Sequence, residues 1–567
     1  MQFPLVECVP NFSEGRDQQK IRTIADAVRS AEGVSLLDVD PGPDTNRTVM
    51  TFAGPPEAVL EAAFRAAAKA AEVIDMSVHR GKHPRIGAID VCPFVPLAGS
   101  SLEECAELAR RLGKRLGEDL GIPVYLYEAA ASTPQRKNLA DIRQGEYEGL
   151  PEKIGRPEWR PDFGPAAFNA KTGAAVVGAR TFLIAYNVNL NTRSVSIARE
   201  IAFTIRESGR VRRDSRGNNI RGRDGEPVMI PGKFKSVKAV GWYMESYGRT
   251  QVSINLTDHK KAPLHLVFQE CCRLADELGA RVTGSELVGL IPLDAVLAAG
   301  RFFLNRQGRT AGVPESELVH TAVLSFGLSD LCPFDHNKKI IEYRMKEKDR
   351  FTEMPLQAFM DVLSSDAPAP GGGSASALCG ALGSALVSMV GALTHGKKGY
   401  EAVFAEMETA GIQAQGYKDA FLKDVSRDSE AFERVMEARR LPKKTDAENP
   451  ERDAALDRAQ KEAALVPLEV MRRAKQASAL AQQVAEKGNR NSLSDAAVAA
   501  RAIYAAAEGA YFNVRINLPA INDRDFKQSV SAESETILKE VRSVTEKTLA
   551  SVADAIDQME RNKGGKK

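Results

Sequence analysis

The chain has 567 residues, 43% of them hydrophobic and 27% charged, which is a globular composition long enough for about two to four domains. Its 77 basic and 75 acidic residues leave a net charge of only +2. This balance argues against a general nucleic-acid or membrane-surface function, although local basic patches are compatible with it.

The cysteines and the apolar segments indicate the cellular compartment and whether the chain spans a membrane. Seven scattered cysteines without a CxxC spacing predict reduced thiols and a cytoplasmic protein. The N-terminus lacks the basic and apolar regions of a signal peptide. Residues 371–396 are uncharged before His395 and nearly long enough to span a bilayer, but they consist largely of Gly, Ala and Ser. We therefore expect a packed bundle helix and no membrane span.

Short apolar runs alternate with amphipathic segments through the first 330 residues, which predicts an α/β fold. The first set of strands is expected at Leu5–Phe12, Ser35–Asp40, Arg47–Ala53, Ile86–Val95 and Val124–Tyr127, with helices at Gln18–Ser30, Pro55–Glu72 and Leu102–Leu120. The second set is expected at Thr181–Asn189, Val237–Glu245, Thr250–Asn255 and Val282–Ile291, with helices at Ser196–Glu207, Pro263–Leu278 and Leu293–Asn305. Both sets begin with the order β-α-β-β-α-β, so we predict two similar split-βαβ lobes.

Beyond a polar, charge-dense segment at 333–353, the strand signal gives way to long Ala-rich helices. These are predicted at Leu356–Ser364, Ser374–Leu393, Tyr400–Ala438, Pro450–Glu486, Ser494–Val514 and Phe526–Arg561. The predicted fold class is multidomain, with two α/β lobes followed by an all-α helical bundle. The predicted domains are residues 1–175 and 176–332 for the two lobes, 333–353 for a linker, and 354–567 for the bundle.

The segment DMSVHRGKHPRIGAID, residues 75–90, contains the most reactive pattern in the α/β part. His79 and His83 are four residues apart, but Gly81 and Pro84 disfavour a helix and no third ligand lies nearby, so no metal site is predicted. In a loop before an apolar strand, His83 could act as a general acid and base, because imidazole titrates near neutrality. A surface histidine in a polar turn fits the same pattern.

A second cluster, DVDPGPDTNR, begins at Asp38. Asp38 and Asp40 share one strand face, where they could orient a histidine or hold an amine, or could satisfy a turn. Arg47 could bind a carboxylate through paired hydrogen bonds.

Four blocks in order resemble glutamate formimidoyltransferases: Glu7–Gly15, Leu36–Val49, His79–Phe94 and Pro161–Pro165. The resemblance implies transfer of a formimidoyl group from N-formimidoyl-L-glutamate to N5 of tetrahydrofolate. It maps the catalytic histidine onto His83 and a folate-binding stretch onto residues 164–173. The residues expected to bind substrate or folate here are Asp40, Arg47, Gly164, Pro165, Phe168, Lys171 and Gly173. Lys171 departs from the apolar or aromatic residue expected at its position, and Asp40 is a candidate to stabilise the positive charge of the amidine.

The helical part opens with the turn APGGGS, whose free N–H groups before a helix could seat an anion or could simply permit a close helix crossing. Asp424 and Asp428 lie one helical turn apart, a spacing that is also common on solvated faces. Asp495 could equally be a residue that begins a helix.

The APGGGS turn and three later motifs, at Asp428–Phe432, Gly488–Asp495 and Gly509–Leu518, resemble formimidoyltetrahydrofolate cyclodeaminases. The fused order is that of bifunctional formimidoyltransferase-cyclodeaminases. The resemblance implies closure of the formimidoyl group onto N10 with loss of ammonia, a catalytic role for Asp428, and folate contacts at Gly372 and Asp495. It assigns no role to Asp424. It further implies tetrahydrofolate as a co-substrate, no metal, and a homo-oligomer in which dimers assemble further.

Alternatives remain for two parts of the chain and for the chain as a whole. The basic segment 206–238 is either a flexible surface loop or a dock for the glutamate tail of a polyglutamylated folate. The helical part could serve only as an oligomerisation module, and the whole chain could be a folate carrier without turnover.

Overall fold

A computed structural model describes residues 4–97, 99–223, 225–345, 349–441 and 450–564. The chain forms two compact units. The α/β unit comprises Met1–Ala299 and Val319–Lys346, and the helical unit comprises Gly300–Leu318 and Glu347–Lys567.

The strands belong to the α/β unit. They are β1 (Val6–Cys8), β2 (Asn11–Phe12), β3 (Ser35–Gly42), β4 (Arg47–Gly54), β5 (Ile89–Pro96), β6 (Val124–Glu128), β7 (Ala175–Ala179), β8 (Ile184–Leu190), β9 (Arg210–Val211), β10 (Met229–Ile230), β11 (Val237–Met244), β12 (Arg249–Leu256) and β13 (Val282–Val288). The helices up to residue 345 are α1 (Gln18–Arg29), α2 (Pro56–Val73), α3 (Leu102–Asp119), α4 (Leu139–Arg143), α5 (Glu146–Lys153), α6 (Val195–Ile205), α7 (Leu264–Glu277), α8 (Leu293–Arg306), α9 (Glu315–Phe326), α10 (His336–Lys339) and α11 (Ile341–Met345).

The sheet of the first lobe follows the spatial order β3-β4-β1/β2-β5-β7-β6, with β7 parallel to both β5 and β6. The single strand predicted at Leu5–Phe12 is wrong in detail, because Pro10 lacks an N–H group and separates β1 from β2. Alternate residues such as Cys8, Phe52 and Phe94 are buried in the core that α1, α2 and α3 cover.

The sheet of the second lobe follows the order β11-β12-β8-β13 and is antiparallel throughout. In both lobes the fourth strand of the β-α-β-β-α-β unit pairs with the first, and the third strand pairs with the first on its other side. The predicted duplication of split-βαβ lobes is therefore confirmed. The first lobe is extended by β6 and β7, and β7 was not predicted.

The segment predicted as a linker, 333–353, contains α10 and α11, and its residues 346–348 lie outside the described residues. Ile341 of α11 is buried in a small cluster with Leu37 and Leu290. Residues 300–318 fall within the range predicted for the second lobe, yet they pack in the helical unit, where the Ala311 N–H donates to Glu408 Oε1 at 3.0 Å.

The helical unit contains α12 (Leu356–Leu363), α13 (Gly372–Thr394), α14 (Phe404–Arg440), α15 (Pro450–Lys487), α16 (Leu493–Asn517) and α17 (Arg524–Gly564). By length and composition alone α13 could cross a membrane, but it packs against α14, α15 and α16 and is more than half buried. Gly383 of α13 allows this approach, since a Cβ there would lie 2.6 Å from Ile503 Cγ1 of α16. The predicted helical bundle is confirmed.

Candidate active sites

His83 lies in the loop before β5, with two different neighbours at one ring nitrogen. Its Nδ1 is 2.8 Å from the carbonyl oxygen of Pro84 and 3.0 Å from Nη1 of Arg47. A carbonyl can only accept, so an Nδ1–H directed at Pro84 leaves Nε2 with a free lone pair. Burial of the ring, followed by the charges of Arg47 and Arg143, lowers the pKa of His83 to about 3. The imidazole is therefore neutral at physiological pH.

Asp90 of β5 organises the positive charges around this histidine. Arg143 of α4 donates from Nε to Oδ1 at 3.2 Å and from Nη2 to Oδ2 at 2.5 Å, and Arg47 also donates to Oδ2. Burial by itself would raise the pKa of Asp90, but the two guanidinium groups outweigh it and lower that pKa. The cluster keeps one excess positive charge, which suits an anionic substrate. A charged residue inside the apolar run IDVCPF was the available sequence signal for Asp90.

His79 supports the loop through both of its ring nitrogens. Its Nε2 lies 2.9 Å from the carbonyl oxygen of Asn46, and its Nδ1 accepts from Arg85 Nε at 3.3 Å. Because the carbonyl needs a donor, Nε2 carries the hydrogen and both ring nitrogens are used. Among the described residues, no group of three His, Cys, Asp or Glu side chains is arranged to hold a metal ion.

The stretch 164–173 is fastened to the segment that follows His83. The Ala88 N–H donates to the Thr172 carbonyl at 2.8 Å, and the Ala174 N–H donates to Ile86 at 3.1 Å. Gly173 has φ of 63°, and a Cβ there would lie 2.2 Å from the Ile86 oxygen, so this crossing requires glycine. The structure thus brings the predicted folate stretch next to the segment that follows His83.

Within this stretch the predicted residues take different positions. Gly164, with φ of 80°, lets the chain pass close to the end of α3. Pro165 is exposed, and Phe168 packs against Tyr147 with ring centroids 5.4 Å apart. Lys171 Nζ donates to the backbone carbonyl of Glu72 at 2.9 Å, so it anchors the stretch to the end of α2.

Asp40 has partners other than His83. Its Oδ2 accepts the N–H of Gly289 at 2.9 Å, and Lys339 Nζ lies 3.8 Å away. The same lysine lies 3.3 Å from Asp38. Asp40 therefore connects the two lobes with its charge partly neutralised, whereas the structure joins Arg47 directly to His83.

In the helical unit, Asp428 of α14 lies against the N-terminus of α13. Its Oδ2 accepts from Ser374 Oγ at 3.3 Å, and a Cβ on Gly373 would lie only 2.0 Å from its Oδ1. Burial raises the pKa of Asp428, the hydrogen bonds from Ser374 oppose this, and Asp424 adds to the rise. A half-buried carboxyl at the positive end of a helix can hold and release a proton.

Asp424 has a different environment one turn earlier. It is fully buried, accepts from Arg427 Nη1 at 2.9 Å and also pairs with Arg473, while Arg427 reaches Glu469 at 2.8 Å. Burial raises the pKa of Asp424 although both arginines oppose the rise. This is an ion-pair network between α14 and α15.

The remaining predicted residues of the helical unit lie at opposite ends of α13. Gly372 is beside Asn513 of α16, because a Cβ on the glycine would lie 3.8 Å from Asn513 Nδ2. Thr394, at the other end of α13, accepts the N–H of Asn489 just before α16 begins. The 23 residues of α13 extend over roughly 35 Å. Asp495, in the first turn of α16, is therefore not brought to Asp428 within one chain.

A neutral histidine beside an arginine–carboxylate cluster in one unit, and an aspartate at a helix N-terminus in the other, are arrangements typical of an enzyme. Three family models match the chain: "Formiminotransferase domain, N-terminal subdomain" over residues 5–180, "Formiminotransferase domain" over 185–346, and "Formiminotransferase-cyclodeaminase" over 355–536. The chain belongs to the formimidoyltransferase-cyclodeaminase family.

Individual relatives cover either the whole chain or one of its parts. The formimidoyltransferase-cyclodeaminase of Mus musculus is 42% identical over 551 residues, which are 97% of this chain and 98% of the relative. The glutamate formimidoyltransferase of Thermoplasma acidophilum is 43% identical over 310 residues, 54% of this chain and 95% of the relative. The methenyltetrahydrofolate cyclohydrolase of Methylorubrum extorquens is 40% identical over 202 residues, 36% of this chain and 97% of the relative.

Proposed function

We propose that this enzyme transfers the formimidoyl group of N-formimidoyl-L-glutamate to N5 of tetrahydrofolate and then cyclises the product. Cyclisation onto N10 gives 5,10-methenyltetrahydrofolate and releases ammonia. The observation that carries the proposal is the presence of His83 beside Arg47 and of Asp428 beside Ser374 in a chain similar over its whole length to formimidoyltransferase-cyclodeaminases.

His83 is the proposed catalytic residue of the transfer. As N5 attacks the amidine carbon, Nε2 accepts the proton that N5 loses, and a tetrahedral intermediate forms. The imidazolium then gives this proton to the glutamate nitrogen while the bond from the carbon to that nitrogen breaks. An imidazole with a pKa held near 3 makes a strong acid once protonated, which favours this second step. Arg47 and Arg143 suit the carboxylates of the glutamate.

The folate co-substrate is proposed to bind along residues 164–173, while Arg47 is assigned to the glutamate substrate. The fastening of this stretch to the segment after His83 supports the assignment. We further propose that polyglutamylated folate uses the basic segment 206–238. That segment contains a ribbon of β9 and β10, in which the exposed Arg212 donates its backbone N–H to the Val228 carbonyl at 2.7 Å.

The ribbon assignment predicts a charge-dependent affinity. Charge reversal of Arg212 and Arg213 should weaken binding of a polyglutamylated folate several-fold at low salt, because attraction between exposed charges is lost. The affinity for the monoglutamate should stay unchanged. Equal affinity of variant and parent for the polyglutamate would show that the ribbon is not its dock.

Asp428 is the proposed catalytic residue of the cyclisation, where it moves a proton from N10 to the departing amine. Gly372 and Asp495 are proposed folate contacts. Because Asp495 lies far from Asp428 along α13, its contribution requires a neighbouring copy. We therefore propose a homo-oligomer in which dimers assemble further. The free cysteines support a proposed location in the cytoplasm.

A coupled assay of the full chain with N-formimidoyl-L-glutamate and tetrahydrofolate tests the two-step function. Glutamate, ammonia and the methenyl product should appear in equal amounts. Glutamate without ammonia would indicate that the helical unit serves only in oligomerisation. Binding of folate without any product would indicate a carrier.

A second candidate function for the helical unit is hydrolysis of the methenyl product. The 40% identity to a protein named methenyltetrahydrofolate cyclohydrolase favours it. Water would add to the methenyl carbon and the bond to N5 would open, giving 10-formyltetrahydrofolate. Decay of the methenyl absorbance at a rate that depends on enzyme concentration would support this activity, and a stable absorbance would exclude it.

A further inference from the structure

One face of the second-lobe sheet is polar although it is largely buried. Along β8, β12 and β13 the apolar residues Tyr186, Val188 and Leu287 enter the core, and the residues between them point to the opposite face. Four polar side chains of that face, Asn187, Asn189, Gln251 and Glu286, form one hydrogen-bonded network. Ordinary packing does not require four such groups on adjacent strands, so this face is a candidate binding surface.

Glu286 is the anionic centre of this network. Its Oε1 accepts from Tyr247 Oη at 2.8 Å, and its Oε2 accepts from Asn187 Nδ2 at 3.0 Å and from Gln251 Nε2 at 3.1 Å. Among the residues that the structure describes, no lysine or arginine contacts this carboxylate. The neighbouring Asp330, in contrast, is neutralised by Arg249 at 2.9 Å.

The turn that carries Tyr247 lies beside the loop of His83. Glu245 Oε1 is 3.4 Å from Lys82 Nζ, and Ser246 Oγ donates to Asp44 Oδ2 at 3.2 Å. Three residues after Glu286, the N–H of Gly289 donates to Asp40. The polar face and the His83 cluster therefore border the same region between the lobes of the α/β unit.

We propose that Glu286 binds the formamidinium group of N-formimidoyl-L-glutamate, with Tyr247 as a positioning residue. This inference rests on the proposed transfer reaction. An N-alkylated amidine is a strong base and is cationic at neutral pH, and its N–H groups can donate to a carboxylate. Neutral donors hold Glu286 in place without cancelling its charge, so an incoming cation meets an unneutralised anion. Arg47 and Arg143 carry the positive charges that attract the glutamate carboxylates.

Asp40, the alternative partner for the amidine, is less suitable. Lys339 lies 3.8 Å from its carboxylate, and its Oδ2 is bonded to the Gly289 backbone. A carboxylate that already has a cation gains less from a second one. The network assigns recognition of the cationic group to Glu286.

The test is the discrimination between a cationic and a neutral ligand by the full-length enzyme. In Glu286→Gln, KM for N-formimidoyl-L-glutamate should rise roughly 10- to 100-fold, the equivalent of one lost charge-assisted hydrogen bond. The inhibition constant of N-formyl-L-glutamate, a neutral analogue with oxygen in place of the imino group, and KM for tetrahydrofolate should change little. Glu277→Gln, on the exposed side of α7, is the matched control and should behave like the parent.

Tyr247→Phe keeps the charge and removes one donor, so it should raise KM for the amidine less, with the same selectivity over the formyl analogue. Equal weakening of the cationic and neutral ligands in both variants would show that the network is only structural and overturn the proposal. In Glu286→Gln, an unchanged ratio of KM for N-formimidoyl-L-glutamate to the inhibition constant of N-formyl-L-glutamate would overturn it as well. If the parent enzyme transfers no formimidoyl group at all, the proposed function fails before this comparison is reached.

Discussion

The two neighbours of His83 Nδ1 compete for it. If Nδ1 carries the hydrogen, it donates to the Pro84 carbonyl and Arg47 is only an electrostatic neighbour. If it does not, it accepts from Arg47 and the Pro84 oxygen loses its donor. The Pro84 carbonyl oxygen can only accept a hydrogen bond, so it needs the hydrogen on Nδ1. Arg47 does not need Nδ1 as an acceptor, because it also donates to Asp90 and Asn11. The tautomer with hydrogen on Nδ1 satisfies more groups and leaves Nε2 as the base.

This environment predicts that His83 does not titrate near neutrality. Its pKa is lowered to about 3, first by burial and then by Arg47 and Arg143. Nitrogen NMR of the labelled ring should show one neutral form, with hydrogen on Nδ1, from pH 8 down to pH 5. A titration with a midpoint near 6.5 would contradict this environment.

The same shift predicts how stability depends on pH. Between about pH 6.5 and pH 3 the unfolded histidine binds a proton that the folded one does not. The contribution of His83 to the free energy of unfolding is therefore fully present above pH 6.5 and declines as the pH falls toward 3. Chemical denaturation of the parent and of His83→Gln should show the parent losing stability faster on acidification. Parallel curves would argue against a depressed pKa.

At the scale of helices, the approach of α13 to α14 determines the second centre. Gly373 makes this approach possible, since any side chain would overlap the Asp428 carboxylate. Gly373→Ala should therefore displace Asp428 and reduce ammonia release about 100-fold or more, in the range expected for a lost general acid or base. Release of glutamate in the first step should be retained. Gly371→Ala is the control, because a Cβ there has no atom within 4 Å, and equal effects of the two substitutions would contradict the assignment.

Periodicity in the sequence was sufficient to predict both lobes and the bundle, because each element buries a face of its own. It failed where a neighbour decides the structure: Ala175–Ala179 is a strand only because β5 and β6 lie on either side of it. The motifs located His83 and Asp428 through family resemblance. Residues such as Arg143 and Glu286 could not be found, since their role comes from contacts with residues that are distant in the sequence.

At the scale of the whole chain, the two proposed centres belong to separate units and have no residue in common. A substitution at one centre should therefore abolish only the reaction of that centre. His83→Ala should lose glutamate release by about 100-fold or more yet still form the methenyl product from supplied 5-formimidoyltetrahydrofolate. Asp428→Asn should release glutamate at the normal rate and accumulate 5-formimidoyltetrahydrofolate without ammonia.

Mixing these two variants gives the decisive measurement. The intermediate formed by Asp428→Asn can reach the intact second centre of His83→Ala, so the mixture should convert N-formimidoyl-L-glutamate and tetrahydrofolate into methenyl product and ammonia although neither variant does so alone. The rate should rise with the concentration of His83→Ala until the transfer step limits it. If Asp428→Asn also lost glutamate release, or if the mixture stayed inactive while the intermediate accumulated, the two centres would not be independent.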